Sequence, residues 1–397
     1  MPEICYASAA SQGDAAVVSA ATGPRNQPRR VLLLLGELAT GGGGIESFNA
    51  SVLAALRGHG DGGAIVALND PRRGSAPELT SGWSYYPCGG RHRRLAQLRF
   101  AGTAFACALR HRPLFVFCGH LNFLVLVRAL RLLLGIRCVA MLYGIEAWSP
   151  RGRAIAWAMR GEAHYLAISR YTRDRCLAWA PLRAGQIGLL PCTFDARRFS
   201  PQPKSARLVR QYRLEGKRVL LTVARLSALE RYKGHEQVLR ALARLRSAHP
   251  ELCYLIVGDG DYRPELQRRA RELGVAEITI FAGRVPADEL AAYYNLSDAF
   301  IMPSRGEGFG IVFLEALACG KPVIAGNGDG ARDALLDGEL GWLVDPEDSP
   351  AMARAILDAL APDQAEPRRN PAFLRRRTLE AFGPEAFSRR LLAALPC

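Results

Sequence analysis

The sequence has no apolar run long enough to cross a bilayer, which takes about 20 residues. The segment from Phe115 to Leu134 comes closest, but Arg128 and Arg131 interrupt it. A shorter run, Val31–Leu35, follows two arginines and ends before Gly36. It is too short for the apolar region of a secretion signal. We therefore predict no spanning helix, and we predict a buried strand at residues 31–35.

Cysteine pairs with metal or redox spacing are also missing. The ten cysteines are scattered singly, and no His and Cys cluster has transition-metal ligand spacing. We interpret them as buried thiols in a reducing cytoplasm. Asp259 and Asp261 match an Asp-X-Asp pattern by which some enzymes hold a divalent metal. Because they directly follow an apolar strand, Asp-Gly turn chemistry is favoured, and we expect no metal and no cofactor.

Acidic residues are scarce in the first half. Residues 1–200 carry 24 Lys and Arg against 11 Asp and Glu, whereas residues 201–397 carry 28 against 26. The basic residues lie among Leu, Phe, Ala and Trp, in segments at 91–94, 110–112, 128–131 and 151–153. Solvated helix faces explain each segment separately. Together the segments favour contact with an anionic membrane surface.

The rest of the chain alternates short apolar strands with amphipathic helices, which indicates parallel sheets covered by helices on both faces. We predict an α/β protein with two facing, doubly wound Rossmann-like domains and a ligand cleft between them. The predicted parts are a disordered leader at 1–28, a first domain at 29–200, a second domain at 205–380 and a C-terminal helix at 381–397. This last helix is expected to pack back toward the first domain.

Each half is predicted to contribute six strands. Those of the first half are Val31–Leu35, Gly63–Leu68, Leu114–Cys118, Arg137–Met141, Tyr165–Ile168 and Gln186–Leu190. Those of the second half are Arg218–Val223, Leu252–Val257, Ile278–Phe281, Ala299–Met302, Pro322–Ala325 and Gly341–Val344.

Two carboxylates, Glu307 and Glu315, flank a glycine turn and the first turns of an apolar helix. The turn follows an apolar strand, so the helix N-terminus faces the mouth of the sheet. There the unpaired amides of Phe309 and Gly310, with the helix dipole, form an anion site. The alternative is a capping Glu307 and a solvated Glu315. An unpaired Glu315 inside an apolar run is costly to bury, and a ribose diol is a fitting partner.

Two cations are predicted to meet at the same crevice. Arg225 follows an apolar strand and Lys233 opens the next helix, so both would neutralise a diphosphate. In the first half, Gly43 and Gly44 end a run of four glycines between a strand and a helix, where a backbone can approach a ligand closely. The alternatives are ordinary surface cations and a flexible loop.

Three more first-half residues follow predicted strands and so point into the crevice. His120 is a candidate base or acceptor contact, with a structural histidine as the alternative. Tyr143 is a candidate hydrogen-bond donor, and Glu146 is a candidate acceptor of hydroxyl protons. For these two the alternative is a packed aromatic loop.

These segments resemble glycosyltransferase family 4, the retaining transferases built from two facing Rossmann-like domains, known as the GT-B fold. The similarity spans about Val31 to the C-terminus and is specific in the second half. The matching motifs there are Val223-Ala-Arg225-Leu, Lys233-Gly234, Val257-Gly-Asp-Gly260, Phe281-Ala-Gly-Arg-Val285, Pro303-Ser304, Glu307-Gly-Phe-Gly310, Glu315-Ala316 and Gly320-Lys-Pro-Val-Ile-Ala325.

The resemblance implies a nucleotide-sugar donor in the second domain, an acceptor in the first, and transfer with retention and without metal. It implies that Glu307 contacts the donor sugar and that Glu315 binds the ribose. The nucleobase of the donor would lie near Gly283-Arg284-Val285. Many members have a histidine where this chain has Tyr143, so a catalytic histidine is not assumed. The expected catalytic residues are Glu307, Arg225 and Lys233, and the expected substrate contacts are Glu315, Gly308, Phe309, Gly310, Ile311, Arg284, Val285, Gly43, Gly44, Tyr143, Glu146 and His120.

The segment from Tyr143 to Trp148 also looks like members that extend lipid-linked oligosaccharides for bacterial exopolysaccharide, some of them from GDP-mannose. With the basic first domain, this implies hexosyl transfer from GDP-mannose or a UDP-sugar to a glycan or polyprenyl-diphosphate-linked acceptor. The protein would be cytoplasmic and peripheral on the inner face of the plasma membrane. Two alternatives stay open: a nucleotide-sugar epimerase, and a basic nucleic-acid-binding protein. We expect no nucleic acid, because no recognition motif accompanies the charge.

Overall fold

The structure, a computed structural model, describes residues 29–38, 43–72, 78–161, 163–363 and 365–396. The predicted leader lies outside the described residues, as do the first two glycines of the glycine run. The described chain forms two parallel sheets, each with helices between its strands. This arrangement confirms the predicted α/β class with two doubly wound domains.

Seven parallel strands form the first sheet: β1 Arg30–Leu35, β2 Gly62–Pro71, β3 Ser84–Gly89, β4 Phe115–Cys118, β5 Arg137–Leu142, β6 His164–Ala167 and β7 Ile187–Leu189. Their order is β3-β2-β1-β4-β5-β6-β7. The side chains of β1 alternate between two core clusters, with Leu33 in one and Leu32 in the other. Burial on both faces explains why this strand reads as a continuous apolar run. The first-domain helices are α1 Gly44–Gly58, α2 Arg93–His111, α3 Leu124–Leu134, α4 Arg153–Met159 and α5 Arg170–Leu177.

Six parallel strands form the second sheet: β8 Arg218–Val223, β9 Leu252–Val257, β10 Thr279–Gly283, β11 Ala299–Met302, β12 Val323–Gly326 and β13 Trp342–Val344. Their order is β10-β9-β8-β11-β12-β13. The helices of this half are α6 Ala206–Tyr212, α7 His235–Leu245, α8 Arg263–Glu272, α9 Leu290–Leu296, α10 Ile311–Ala318, α11 Ala331–Ala334, α12 Ser349–Leu360, α13 Pro371–Phe382 and α14 Pro384–Ala394. All six predicted second-half strands match within two residues at either end.

The prediction missed one strand, β3. It pairs only with β2 and so forms an edge of the sheet. Its sequence, Ser-Tyr-Tyr-Pro-Cys-Gly, contains Pro87 and is mostly half-buried. An edge strand tolerates proline and needs no continuous apolar run, so the pattern that identifies the central strands is absent here.

The last helix, α14, returns to the first domain and packs on α1. The Phe387 ring meets the Phe48 ring edge-on at 5.3 Å between centroids, and Phe48 meets Tyr143 at 5.2 Å. At the preceding helix, Phe382 lies 5.5 Å from Phe309, which belongs to the glycine turn. The C-terminal helices therefore join the two domains through aromatic contacts next to the cleft.

Among the described residues, no helix combines the length and the apolar character that a bilayer crossing requires. The eight described cysteines are all buried and unpaired.

Phe387→Ala should lower the free energy of unfolding by about 3–5 kcal/mol, because it empties a fully packed aromatic site. Thermal or urea unfolding followed by circular dichroism measures this loss. Leu98→Ala is the matched control, since the Leu98 side chain is 70% exposed and its removal should change little. Equal stability of the two variants would contradict the packing described here.

Candidate active site

A cavity of about 500 Å³ lies between the two domains. It brings together most of the residues that the sequence singled out. From the second domain these are Arg225, Lys233, Glu307, Gly308, Phe309, Gly310 and Ile311; from the first they are Gly43, Gly44, Tyr143 and Glu146. The cavity sits at the carboxyl ends of the strands of both sheets, where doubly wound domains bind ligands.

The glycine turn between β11 and α10 carries Glu307, which is half-buried. Asp329, only 2% exposed, holds this turn: its Oδ2 accepts the Glu307 N–H at 2.7 Å and the Ser304 hydroxyl at 2.8 Å. Burial raises the pKa of the Glu307 carboxyl; the Lys233 ammonium partly offsets this rise, and the Asp329 charge adds to it. The backbone of Glu307 is therefore fixed at the cleft, and its carboxyl has a raised pKa.

Two glycines give the turn its shape. Gly310, the residue before α10, has φ +89°, a left-handed conformation that glycine adopts without strain. A Cβ on Gly308 would lie 2.7 Å from the Tyr143 carbonyl oxygen of the other domain. The two domains can therefore approach this closely only where the second one presents bare backbone.

Arg225 and Lys233 share a carboxylate that the sequence analysis missed. Glu230 accepts a hydrogen bond from Arg225, and its Oε2 lies 3.1 Å from the Lys233 Nζ. Burial raises the pKa of Glu230, but the bond from Arg225 and the charge of Lys233 outweigh that effect, so the net shift is downward. The signal was an acidic residue between two cations in one short loop.

The first-domain residues of the cavity are tied into their own backbone. Tyr143 is 6% exposed, and its hydroxyl donates to Asn49 Oδ1 at 2.9 Å. Glu146 Oε1 accepts the N–H groups of Tyr143 at 2.7 Å and Gly144 at 3.1 Å. In this state the Tyr143 hydroxyl is directed toward α1, and Glu146 stabilises the turn after β5.

His120 lies in a different cavity, of about 800 Å³, entirely within the first domain. Its Nδ1 accepts the Asn122 N–H at 3.1 Å. Burial lowers the pKa of His120, while the Glu146 charge opposes that shift. The two cavities adjoin along the chain, since Gly36 lines this one and Glu37 lines the interdomain cavity.

Glu315 lines a third cavity, of about 870 Å³, bounded by α1, the 193–199 segment, α10 and α14. Ile311 lines both this cavity and the interdomain one, so the two are neighbours along α10. Glu315 Oε2 accepts the Tyr294 hydroxyl at 2.6 Å. Burial raises the pKa of Glu315 to about 7, although the Tyr294 bond and the Arg198 charge act in the opposite direction.

Two predicted contacts lie apart from these three cavities. Among the described residues that line them, Arg284 and Val285 do not occur; Arg284 is exposed and Val285 is half-buried. No group of three His, Cys, Asp or Glu side chains within the described ranges could hold a metal ion. The acidic pair of the Asp-X-Asp segment serves a turn: Asp261 accepts the Ala228 N–H at 2.9 Å and Asp259 accepts the Gly260 N–H at 2.9 Å.

Residues 206–372 match the family model described as glycosyl transferases group 1. The matched residues make up most of the second domain. A relative from Mycolicibacterium smegmatis, a GDP-mannose-dependent alpha-(1-6)-phosphatidylinositol monomannoside mannosyltransferase, is 42% identical over 214 residues, which are 52% of this chain and 54% of that protein. A D-inositol 3-phosphate glycosyltransferase from Thermomonospora curvata is 41% identical over 160 residues, 38% of this chain and 36% of that one. The chain thus spans about half the length, or less, of these curated relatives.

Solved structures extend the likeness to both domains. HepE from Anabaena, crystallised with UDP, superposes with a TM-score of 0.74 at 20% identity, covering 91% of this chain and 98% of that one. A sucrose-phosphate synthase from Thermosynechococcus elongatus gives a TM-score of 0.73 at 22% identity, covering 92% and 100%. At such identities the likeness shows the fold alone, and it confirms the predicted GT-B arrangement.

In the second domain, the raised pKa of Glu315 makes folding stability depend on pH. Between about pH 4.5 and 7 the folded state keeps a proton that the unfolded state releases, so stability falls as pH rises through that window. Glu315→Gln lacks this loss and can still accept the Tyr294 hydroxyl. Its stability relative to the unaltered protein should therefore increase from pH 5 to pH 8, by on the order of 2 kcal/mol.

Melting temperatures measured across this pH range test the expectation. Glu385→Gln, an exposed glutamate on α14, is the control and should follow the unaltered protein. A difference for Glu315→Gln that does not change with pH would contradict a raised pKa.

Proposed function

We propose that this chain is a retaining glycosyltransferase that moves a hexosyl group from a nucleotide-sugar to a glycan or lipid-linked acceptor. The observation that carries the proposal is the interdomain cavity, in which the Glu307 turn, Arg225 and Lys233 face the first-domain glycines. These residues offer an acceptor of sugar hydroxyl protons, two cations for a diphosphate and bare backbone for close approach. The match of residues 206–372 to the family model of glycosyl transferases group 1 supports the same activity.

The donor is proposed to lie along α10. Its diphosphate binds Arg225, Lys233 and the free amides at the helix N-terminus, where the helix dipole favours negative charge. Its sugar contacts Glu307. Its nucleoside extends past Ile311 to Glu315 in the neighbouring cavity, where the carboxylate, already bonded to the Tyr294 hydroxyl, also accepts a ribose hydroxyl.

Charge on the protein replaces a metal in this scheme. The bond between the anomeric carbon and the diphosphate oxygen breaks, and the acceptor oxygen bonds to the same face of that carbon. The acceptor proton passes to the departing diphosphate. Arg225 and Lys233 stabilise the charge that develops on the leaving group, and closed domains exclude water and so limit hydrolysis of the donor.

We propose GDP-mannose as the donor and a glycolipid as the acceptor. Support comes from the relatives described as GDP-mannose-dependent phosphatidylinositol monomannoside mannosyltransferases, which share 40–42% identity over about half of this chain. UDP-sugars are the second donor class, since HepE was crystallised with UDP. The first-domain cavity, with Arg91, Arg93 and His120 in its wall, is the proposed acceptor pocket.

A surface beside that pocket supports action at a membrane. Helices α2, α3 and α4 pack side by side and expose apolar side chains among their arginines. The exposed fractions are 70% for Leu98 on α2, 71% for Leu133 on α3 and 45% for Trp157 on α4. Apolar groups flanked by cations are typical of a face that lies on anionic lipid, so we propose a peripheral protein at the inner face of the plasma membrane.

Glu307→Ala should lower transfer about 10²–10³-fold, because it removes a contact that holds the reacting sugar. The measurement is mannosyl transfer from GDP-mannose to a phosphatidylinositol mannoside, with polyprenyl-diphosphate-linked sugars and UDP-sugars as further arms. Retained stabilisation by GDP in a melting experiment shows that the donor site is still formed. Glu339→Ala, an exposed glutamate of the same domain, is the control.

Unchanged transfer by Glu307→Ala would contradict its role. Conversion of the donor in the absence of any acceptor would instead indicate an epimerase.

The double substitution Leu98→Gln and Leu133→Gln should weaken sedimentation with phosphatidylinositol-containing vesicles several-fold, because it removes apolar area from the membrane face. Leu357→Gln on α12, in the second domain, is the control and should bind as the unaltered protein does. Raised salt should weaken binding in all three proteins, since the arginines contribute through charge. Equal sedimentation of the two variants would contradict this membrane face.

A further inference from the structure

One arginine of the first domain bridges to two carboxylates of the second. Arg170 is the first residue of α5, and its Nε lies 2.6 Å from Asp333 Oδ1. Its Nη2 lies 2.8 Å from Asp337 Oδ2. The planar guanidinium donates in two fixed directions, so it can hold both carboxylates at once, which a lysine cannot do in this geometry. The contact therefore fixes the orientation of one domain against the other.

The segment that Arg170 holds is also the segment that holds Glu307. Asp329 accepts the Glu307 N–H through Oδ2, and through Oδ1 it accepts the Ala331 N–H at 3.0 Å, which opens α11. The Gly330 N–H donates to the Glu307 carbonyl oxygen at 2.9 Å. Both backbone groups of Glu307 are thus bonded to residues 329–330, and Asp333 follows within the same short helix.

The segment that begins at Asp329, the Glu307 turn and the first domain are in close contact. A Cβ on Gly330 would lie 2.1 Å from the Gly308 carbonyl oxygen, so the two strands of backbone are in direct contact. On its other side Gly308 faces the Tyr143 carbonyl. A shift of α11 relative to the first domain must therefore move the Glu307 turn.

We propose that Arg170 is a positioning residue: its bonds to Asp333 and Asp337 close the two domains and thereby set Glu307 in the cleft. The inference rests on the proposed function for its catalytic readout. It adds a residue outside the cleft cavity that acts through the Asp329–Asp337 segment.

The strength of the contact suits repeated opening. The side chains of Arg170 and Asp337 are 43% and 44% exposed, whereas that of Asp333 is 13% exposed. The exposed pair of Arg170 with Asp337 is screened by salt, so it can break and form again. The contact of Arg170 with Asp333 and Asp337 therefore favours closed domains but still lets them open to bind donor and release product. Arg332 also donates to Asp337, at 3.1 Å, so this carboxylate keeps a partner when the domains separate.

Arg170→Gln tests the proposal, with Arg173→Gln as the matched control. Arg173 lies on the same helix, but its partner, Asp174, belongs to the same domain. We expect Arg170→Gln to lower kcat about tenfold with little change in melting temperature or in GDP affinity, whereas Arg173→Gln changes none of them. In the unaltered protein kcat should fall as salt rises from 50 to 500 mM, and in Arg170→Gln it should fall less.

Two further variants separate positioning from a general loss of structure. Arg170→Lys should recover part of the rate, because it restores the charge but not the two-directional bonding. Arg170→Gln combined with Asp333→Asn should be no worse than the first change alone, since both break the same contact. Additive losses, or equal rates for Arg170→Gln and Arg173→Gln, would overturn the proposal.

Small-angle X-ray scattering gives a readout that needs no transfer reaction. With GDP as the probe, the radius of gyration of Arg170→Gln should exceed that of the unaltered protein and of Arg173→Gln. If no nucleotide-sugar supports transfer, the proposed function is wrong. The scattering still tests whether Arg170 holds the two domains closed. Identical scattering of the three proteins would overturn it.

Discussion

The turn that carries Glu307 keeps its shape because the Asp329 carboxylate accepts the hydrogen bonds that the turn has to offer. One oxygen takes the Ser304 hydroxyl and the Glu307 amide, and the other takes the first amide of α11. A buried carboxylate is costly unless it is bonded in this way, and burial raises the pKa of Asp329 even though these bonds oppose the rise. The same bonds make the turn rigid, so the cleft is built around a fixed point.

The second constraint is the close approach of backbone segments next to the cleft, which explains the positions of several glycines. Gly308 meets the first domain at the Tyr143 carbonyl, and Gly330 meets Gly308 from the other side. Gly44 of the first domain lies near the Ile311 side chain. A side chain at Gly308 would hold the domains apart, and one at Gly330 would displace the Glu307 turn. At Gly308 the two domains therefore meet backbone to backbone, which leaves the larger side chains to line the cavity.

Much of this architecture was readable from the sequence, and the reason is that it is local. A strand such as Val31–Leu35 is buried on both faces, so its apolar run identifies it without any partner, and the carboxyl ends of such strands define the cleft. Arg225 and Glu307 follow strands in this way and Lys233 precedes the next helix, and all three line one cavity. The edge strand β3 carries no such run and was missed.

What the sequence did not reveal depends on contacts between distant residues. Arg170 and Asp333 are 163 positions apart, and Asp329 acts on a residue 22 positions before it. The local sequence around each of these residues does not indicate which distant residue it contacts. The same holds for Tyr143, whose hydroxyl bonds to Asn49 across 94 positions. An aromatic residue after a strand predicts a place near the cleft, but the direction of its polar atom is set by the helix that packs on it.

Glu230 balances the charge of Arg225 and Lys233. Two cations close together at a strand end repel each other, and a carboxylate between them relieves that repulsion. A diphosphate carries the same sign of charge as Glu230 and would bring oxygens that bond both cations. Its binding therefore replaces one anionic partner by another, and the net gain is smaller than for an uncompensated pair of cations. In the proposed reaction such a site holds the donor during transfer and still releases the nucleoside diphosphate, because Glu230 stays in place to bond Arg225 and Lys233 again.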